Sequence, residues 1–220
     1  MSEVYFISGI DTDAGKTYVT GWLARQYMDR GLSVATQKFI QTGCDLYSED
    51  IEVHRRIMGT GMLPEDTDHT TAPVIFHYPA SAQLAARLDN REIDLGEVDR
   101  STQILAGRYD VVLVEGAGGL MVPVTDDFFT IDYVASRKLP LMLVTNGVLG
   151  SINHTILSLE AIKSRGIRLA ALLYNEYFDT DRVIAEDTRG FLRRYMGKHF
   201  PDAEMIFVPA LNPSAGREND

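Results

Sequence analysis

The sequence predicts a doubly wound α/β domain built on a mostly parallel sheet. Short, almost continuously apolar runs alternate with amphipathic stretches, and such runs are typical of parallel strands buried on both faces. The length of 220 residues suits one domain with a sizeable core. We therefore expect a single domain over residues 1–220, with right-handed crossovers between its strands.

Six apolar or β-branched runs are the expected strands of this sheet. They cover residues 4–9, 33–39, 111–116, 141–146, 169–175 and 205–209. Ligands of open α/β sheets bind beyond the carboxyl ends of the strands, so the residues that follow these runs are the candidates for chemistry.

Helices are predicted over residues 16–30, 48–59 and 151–165. Gly31 and Gly166 are the expected C-terminal stops of the first and last of these, and Ser151 is the expected N-cap of the last. Residues 40–73 form the least regular part of the chain. The polar tail 212–220 is expected to be flexible.

Composition excludes several classes of partner. The formal net charge is −10, whereas nucleic-acid-binding proteins carry basic faces. Cys44 is the single cysteine, which rules out an intrachain disulfide and is compatible with a reducing compartment. The apolar run 139–144 is too short to cross a bilayer. We expect a cytoplasmic protein that binds neither nucleic acid nor membrane.

The first expected strand leads into a loop that is typical of phosphate binding. Gly9 precedes Gly15-Lys16-Thr17 by five residues, one more than the common P-loop spacing. Backbone N–H groups of residues 13–17 can bind phosphate at the start of a helix, Lys16 can contact the β and γ phosphates, and the Thr17 hydroxyl can bind Mg²⁺. The alternative is a glycine turn followed by an exposed lysine. The loop narrows the predicted fold to the P-loop NTPase type.

Three charged residues at the ends or starts of elements are further candidates. Glu115 follows the apolar run 111–114, where a carboxylate would face the phosphate loop and bind Mg²⁺; otherwise it is a surface acid in a turn. Lys38 ends a predicted strand, and the alternative is a solvated lysine. Asp50 begins a predicted helix, where it could be only a favourable helix-start acid, with Glu49 and Glu52 as rivals for a metal-binding role.

The stretch GIDTDAGKT, residues 9–17, resembles the variant phosphate loop of the dethiobiotin synthetase family. Four further segments are similar to segments of this family in the same order: QKFIQTG at 37–43, VEGAGG at 114–119, VLGSINHTILSLEAI at 148–162 and YNE at 174–176. The phosphate loop alone is common to many NTPases, whereas the ordered set is much more specific.

The resemblance implies an ATP- and Mg²⁺-dependent cyclo-ligase of biotin biosynthesis. In this family 7,8-diaminononanoate takes up CO2 as a carbamate, which attacks the γ-phosphoryl group of ATP to give a mixed carbamic–phosphoric anhydride. The second amine then closes the cyclic urea, giving dethiobiotin, ADP and phosphate. Such phosphoryl transfer needs positioning and charge neutralisation rather than a protein nucleophile. The resemblance also implies a homodimer that completes the substrate site across its interface.

The resemblance assigns roles to residues of this chain. The catalytic residues are Lys38, Lys16 and Thr12, and the metal ligands are Thr17, Asp50 and Glu115. The nucleotide-binding residues are Asp13, Ala14, Gly15, Lys16, Thr17, Glu115, Gly116, Ala117, Gly118, Asn175, Glu176, Val208, Pro209 and Ala210. The substrate-binding residues are Thr12, Lys38 and Thr42, with Gly150, Ser151 and Asn153 as contributions from the partner subunit. Asn175 could instead be a turn residue at a strand end, and residues 150–153 could also cap their helix.

Two segments depart from the common pattern of the family. Phe39 stands where a proline usually follows the catalytic lysine, and Ala82-Gln83 replace a Pro-His pair that lies near the substrate. These departures leave ATP binding intact and bear on the identity of the substrate.

Two other readings of a P-loop chain are possible. Amide ligases related to the cobyrinate amidotransferases share a similar ATP domain but add a glutaminase domain, for which 220 residues leave no room. Partitioning switches of the MinD/ParA group carry a second lysine at the position of Asp11, and we see no basic amphipathic C-terminal helix that would bind a membrane.

The remaining polar residues suggest smaller roles. The five histidines show no zinc-site spacing, so surface or packing roles are expected, and Cys44 is expected to be a bystander. Asp11 and Asp13 place negative charge within a phosphate loop. Our hypothesis is that one of them favours a cationic amine or a metal-bound water, while the other caps the turn.

Overall fold

A computed structural model describes residues 2–210, and it contains a six-stranded sheet. The strands are β1 (Glu3–Gly9), β2 (Val34–Lys38), β5 (Val111–Gly119), β6 (Leu141–Asn146), β7 (Leu169–Asn175) and β8 (Glu204–Val208), in the order β2-β5-β1-β6-β7-β8. Every neighbouring pair is parallel. Two short strands, β3 (Gln41–Thr42) and β4 (Ile75–Phe76), form a separate parallel pair. The predicted parallel α/β sheet is confirmed, and all six predicted strands are present.

Eight helices connect these strands within the described residues. They are α1 (Lys16–Asp29), α2 (Glu49–Met58), α3 (Pro64–Thr67), α4 (Ala82–Leu88), α5 (Leu95–Ala106), α6 (Thr130–Ser136), α7 (Ser151–Ser164) and α8 (Arg182–His199), and a 3₁₀ turn covers Glu176–Phe178. The three predicted helices correspond to α1, α2 and α7. The expected flexible tail, 212–220, lies outside the described residues. No helix in the described part of the chain is long and apolar enough to span a membrane.

Glycines end two of these helices as predicted, whereas one predicted cap is wrong. Gly31 and Gly166 follow α1 and α7 with φ of 85° and 62°, a left-handed conformation in which glycine has no Cβ penalty. Ser151, however, is the first helical residue of α7, and Gly150 in the left-handed conformation is its N-cap. The buried Ser151 hydroxyl makes no hydrogen bond to the described residues, so it does not cap the helix.

Alternate residues of the central strands pack into two separate cores, one on each face of the sheet. In β5, Val111 and Leu113 pack with α1 and α2, whereas Val112 and Val114 pack on the opposite face with α4 to α8. Successive side chains of a strand point to opposite faces, so a strand covered on both sides must be apolar throughout. Burial on both faces therefore explains the continuous apolar runs of the sequence.

The strand order places a crevice at the carboxyl end of β1. The chain passes from β1 to β2 on one side of the sheet and later from β5 to β6 on the other. Ligands bind at such a switch point in open α/β sheets. The register between β2 and β5 pairs Lys38 with Glu115, so two candidate residues are neighbours at this edge.

A buried ion pair anchors the segment between α2 and β4 to the sheet. Arg55 of α2 donates to both carboxylate oxygens of Asp66, at 2.8 and 2.7 Å. Thr71 donates to the same carboxylate at 2.8 Å, and Asp66 also accepts from the backbone N–H of Leu63 at 2.7 Å. Burial alone would raise the pKa of Asp66, but Arg55 outweighs it and holds this pKa below its usual range. This network orders a segment that contains little regular structure.

We expect D66N to destabilise the fold by about 3 kcal/mol at neutral pH, because it leaves the Arg55 charge buried without a counter-ion. E186Q is the matched control, since the Arg182–Glu186 pair is exposed and should contribute under about 0.5 kcal/mol. Urea unfolding measures both. The lowered pKa makes the Asp66 contribution complete above the ordinary aspartate pKa of about 4, so the difference from D66N should shrink as the pH falls below that value. Equal effects of the two variants would contradict a structural role for the buried pair.

Candidate active site

The phosphate loop connects β1 to α1 and carries a buried lysine. Gly15 is the N-cap of α1 with φ of 83°. Lys16 is 5% exposed, and its Nζ donates to the backbone carbonyls of Asp11 at 3.0 Å and Thr12 at 2.9 Å. Burial lowers the pKa of Lys16 to about 8, partly opposed by the nearby Glu115. Lys16 therefore lies across the inside of the loop, and the alternative of an exposed lysine after a turn is wrong.

Glu115 lies at the centre of the polar site and is fully buried. Its Oε1 accepts from Lys38 Nζ at 2.8 Å and from Thr17 Oγ1 at 3.1 Å, and its Oε2 lies 2.6 Å from His54 Nε2. Burial alone would raise the pKa of Glu115, but Lys38 and His54 outweigh this effect and hold it far below its usual range. Glu115 is therefore an ionised carboxylate in the interior and not a surface acid.

Lys38 is the principal counter-ion of this carboxylate. It is 5% exposed and also pairs with Asp50. Burial alone would lower the pKa of Lys38, yet Glu115 and Asp50 together raise it. The lysine is consequently a fixed cation at the strand end, and the solvated alternative is wrong.

Asp50 is the acid of α2 that faces the phosphate loop. Its Oδ1 lies 2.8 Å from Thr17 Oγ1, whose single proton it shares with Glu115, while Glu49 and Glu52 are exposed. Ser48 caps α2 by accepting from the Ile51 backbone N–H at 3.2 Å, which fixes the direction of the first turn. The structure thus selects Asp50 from the three neighbouring acids.

Thr17, Asp50 and Glu115 bring three hard oxygen donors together. Among residues 2–210, no group of three or more His, Cys, Asp or Glu side chains could hold a metal ion. Nucleotide-bound Mg²⁺, however, usually takes one or two carboxylates and a loop hydroxyl, with phosphate oxygens and water as its other ligands. The three oxygen-bearing side chains fit that requirement.

A cavity of about 330 Å³ lies on one side of the phosphate loop, and its lining is largely aromatic. Gly15, Tyr18, Asn175, Tyr177 and Phe178 line it. The Asn175 side chain donates to the Ala14 carbonyl at 3.3 Å and accepts from the Tyr177 backbone N–H at 3.2 Å. The turn role is therefore present, and the same amide group joins the phosphate loop to the 3₁₀ turn.

The last strand contacts two residues, Asn175 and Tyr18, that line this cavity. Val208 pairs with Asn175 across β7 and β8, and the carbonyl of Pro209 accepts from the Tyr18 hydroxyl at 2.6 Å. Glu176 pairs with Arg189 at 3.3 Å, while Pro209 and Ala210 are exposed. Of the five residues predicted to bind the nucleotide in this region, Asn175 lines the cavity, and Val208 and Pro209 contact its lining residues.

A second cavity, of about 430 Å³, adjoins the phosphate loop at Thr12. Its lining includes four predicted site residues, Thr12, Thr42, Ala117 and Gly118, together with Pro79, Ala80, Ser81, Ala82 and Val122. Ala82 therefore replaces a proline at the cavity wall, whereas Gln83 donates to the exposed Asp126 at 2.5 Å. Gly116 packs so closely that a Cβ there would lie 2.9 Å from the Phe6 ring.

The start of α7 lies beside the phosphate loop of the same chain. Gly150 and Ser151 line a third cavity, of about 240 Å³, together with Asp11 and Asp13. Asn153 is exposed and does not line this cavity. Asp11 Oδ1 accepts from the Thr12 backbone N–H at 2.7 Å, so Asp11 is the acid that caps the turn in our hypothesis. The role of Asp13, which is exposed at the cavity lip, stays a prediction.

Sequence reasoning missed several residues that the fold brings to the site. His54 is buried against Glu115, a more specific location than the expected surface or packing role. Its spacing of four residues from Asp50 on one helix was the available signal, because such residues share a helix face. Tyr18, Tyr177 and Phe178 had no signal beyond their proximity to Gly15-Lys16-Thr17 and Asn175 in the chain.

The Phe39 departure has a packing explanation. The Phe39 ring is 1% exposed, and its centroid lies 5.4 Å from that of Phe6 and 4.6 Å from that of Tyr133. Aromatic contacts of this kind contribute beyond the area that they bury. Lys38 still ends its strand in the predicted place, so the substitution does not displace it.

The protein has a parallel α/β sheet, a glycine-turned phosphate loop after the central strand β1, and a lysine between two carboxylates. Together these features define a P-loop nucleotide-binding protein. A family model described as an AAA domain matches residues 3–200. The chain is 48% identical to the ATP-dependent dethiobiotin synthetase BioD 2 of Pasteurella multocida over 92% of this chain and 95% of that one. It is 50% identical to BioD 2 of Haemophilus influenzae over 84% and 97%, and 50% identical to BioD of Chlorobaculum tepidum over 97% and 90%. The chain belongs to the ATP-dependent dethiobiotin synthetase family.

Solved structures show how widely this fold is shared. A ParA family ATPase from Chlorobium tepidum covers 96% of this chain and 86% of its own, with a TM-score of 0.56 and 16% sequence identity. Identity at this level supports the fold alone, so the similarity does not favour the partitioning reading.

We expect G15A to weaken binding of a non-hydrolysable ATP analogue by at least about tenfold, a loss of about 1.4 kcal/mol. The added Cβ would lie 2.3 Å from Asn175 Nδ2, and φ of 83° strains any residue with a side chain. G31A is the matched control, because Gly31 has a similar φ of 85° with no atom within 4 Å of the added Cβ. Isothermal titration measures both affinities. Unchanged affinity in G15A would contradict a phosphate-binding role for this loop.

Proposed function

We propose that this chain is an ATP-dependent cyclo-ligase that converts 7,8-diaminononanoate and CO2 to dethiobiotin, with ADP and phosphate as the other products. The supporting observation is the buried Lys38, held between Glu115 and Asp50 beside the phosphate-loop residue Thr17. The relatives at 45–50% identity carry the name of this activity. The two readings of a related amide ligase and a partitioning switch have no comparable support.

The two lysines supply positive charge where phosphoryl transfer needs it. The pKa of Lys38 is raised by its carboxylates, so it acts as a cation rather than as a general base. Lys16 lies on the loop carbonyls at the start of α1, where backbone N–H groups of residues 13–17 would bind the phosphates. Attack by the carbamate oxygen on the γ-phosphoryl group then requires mainly alignment and charge neutralisation.

Thr17, Asp50 and Glu115 would hold Mg²⁺ together with the nucleotide phosphates. Bound Mg²⁺ supplies neutralisation of the phosphate charge. Thr17 Oγ1 already contacts both carboxylates, so the donors need little rearrangement to meet one cation. Glu115 and Asp50 are shared with Lys38, which keeps the lysine adjacent to the same phosphates.

The nucleotide would extend from the phosphate loop into the aromatic cavity. Ala14 to Thr17 and Glu115 to Gly118 surround the phosphates in this proposal. Asn175, Glu176 and residues 208–210 would contact adenine, and Tyr18, Tyr177 and Phe178 add apolar faces for the ring. Asp13 would contribute its backbone N–H to the binding of the phosphates.

The diamine would occupy the cavity lined by Thr12, Thr42, Ala117 and Gly118. Thr12 of the phosphate loop lines this cavity and Gly15 of the same loop lines the aromatic one, so the two substrates would approach each other along the loop. Thr12 offers a hydroxyl to the reacting end of the substrate. Ala82 at the wall makes this cavity the place where the family departure bears on substrate shape.

The proposal includes a homodimer in the cytoplasm, with Gly150, Ser151 and Asn153 serving the site of the other subunit. Exposed apolar side chains near these residues support a subunit interface: Met121, Val148, Leu149 and Leu157. The helix start of α7 would bind the substrate carboxylate through backbone N–H groups. Sedimentation equilibrium should show a dimer, and a fully active monomer would contradict this part of the proposal.

The decisive assay measures ADP release with ATP, Mg²⁺ and bicarbonate, with and without 7,8-diaminononanoate. We expect ADP release to depend on the diamine and to match formation of a cyclic urea one for one. The reaction should need no glutamine. Diamine-independent hydrolysis would instead support a nucleotide switch, and glutamine-dependent product would support an amide ligase; either result would contradict the proposed function.

A further inference from the structure

We propose that His54 is a positioning residue that holds Glu115 so that a single carboxylate oxygen, Oε1, faces the cation and Lys38. This inference rests on the proposed function, in which Glu115 is a metal ligand. His54 itself is fully buried in α2 and touches neither cavity, so it acts through the carboxylate. The proposal gives a role to an imidazole that takes no direct part in phosphoryl transfer by the two lysines.

The hydrogen bonds around His54 place Nε2 against Glu115. Nε2 lies 2.6 Å from Glu115 Oε2, and Nδ1 lies 3.0 Å from Thr36 Oγ1. Because a carboxylate oxygen accepts, His54 donates its Nε2–H to Glu115. Thr36 Oγ1 also accepts a hydrogen bond from Arg55 Nη1 at 2.9 Å, so the partner of Nδ1 is itself held in place.

A chain of buried groups holds the imidazole in turn. Arg55 donates to Thr36 and binds both oxygens of Asp66, which Thr71 also contacts. Every side chain from Asp66 to Glu115 in this series is nearly or completely buried. The orientation of Glu115 is therefore supported from the segment between α2 and β4, well outside the phosphate loop.

The two oxygens of Glu115 have different partners in this arrangement. Oε2 is occupied by His54, whereas Oε1 accepts from Lys38 and Thr17. Without the imidazole, Oε2 would be a buried oxygen with no donor, and the carboxylate could rotate toward Lys38. Partners that orient a metal-binding side chain typically change metal affinity or activity 10–100-fold when they are lost.

The first test asks whether His54 Nε2 carries a proton, in protein without nucleotide or metal. Long-range ¹H–¹⁵N spectra of protein labelled with ¹⁵N-histidine distinguish the two imidazole nitrogens, and H54Q assigns the His54 signals. We expect Nε2 to carry a proton. A protonated Nδ1 with a bare Nε2 would overturn the proposal, because His54 could not then donate to Glu115.

The positioning role is tested by Mn²⁺ binding in the presence of AMPPNP, followed by electron paramagnetic resonance. Glutamine places its amide near the position of Nε2, so H54Q should keep Mn²⁺ affinity within about threefold of wild type. Asparagine is too short to contact Glu115, so H54N should weaken Mn²⁺ binding by about tenfold or more. I51V is the control, since Ile51 is buried in the same helix and its shortening disturbs packing alone.

The outcomes distinguish the proposed metal site from the positioning role of His54. Wild-type protein that binds no Mn²⁺ with AMPPNP would contradict the proposed metal site and, with it, the role of His54. Normal binding by wild type together with equal affinity in H54N would overturn the positioning role alone. Equal weakening in H54N and I51V would assign the effect to helix packing and would also overturn it.

Discussion

The site depends on the burial of one ionised carboxylate, that of Glu115. A charge in the interior is strongly unfavourable unless it is paired and hydrogen-bonded. Lys38, Thr17 and His54 meet this need from three different elements: β2, α1 and α2. The same pairing keeps Lys38 charged and Glu115 ionised. The two residues that would act on phosphate and metal therefore also stabilise each other's charge in the interior.

The fold makes this pairing possible through register and strand order. Lys38 and Glu115 are directly paired residues of neighbouring parallel strands, and Ile7 of β1 lies opposite Glu115 on its other side. The phosphate loop follows β1, so the loop, the lysine and the carboxylate share one edge of the sheet. The ParA family ATPase has a similar sheet, which indicates that the sheet itself does not set the reaction. The residues at its edge, and the cavities beside it, carry the specificity.

Much of this architecture could be predicted from the sequence, because apolar runs and glycine turns are local signals. The strands, α1, α2, α7 and the glycine stops follow from such patterns. Lys38 follows from its position at a strand end, and Glu115 from its position directly after an apolar run, although β5 continues to Gly119. The Ser151 cap was wrong because Gly150 took the left-handed conformation that starts the helix. The His54–Glu115 contact and the aromatic cavity join residues distant in sequence, and the Arg55–Asp66 pair crosses a segment with little regular structure, so tertiary packing defines all three.

The most direct test of the central claim is a double-mutant cycle on Glu115 and Lys38, measured by urea unfolding without ligands. The account predicts that E115Q and K38M are each strongly destabilising, because each leaves a buried charge without its main partner. The double variant should then recover stability, with a coupling energy of about 2 kcal/mol or more. Additive losses in the double variant, with a coupling energy near zero, would contradict the claim that this pair organises the site.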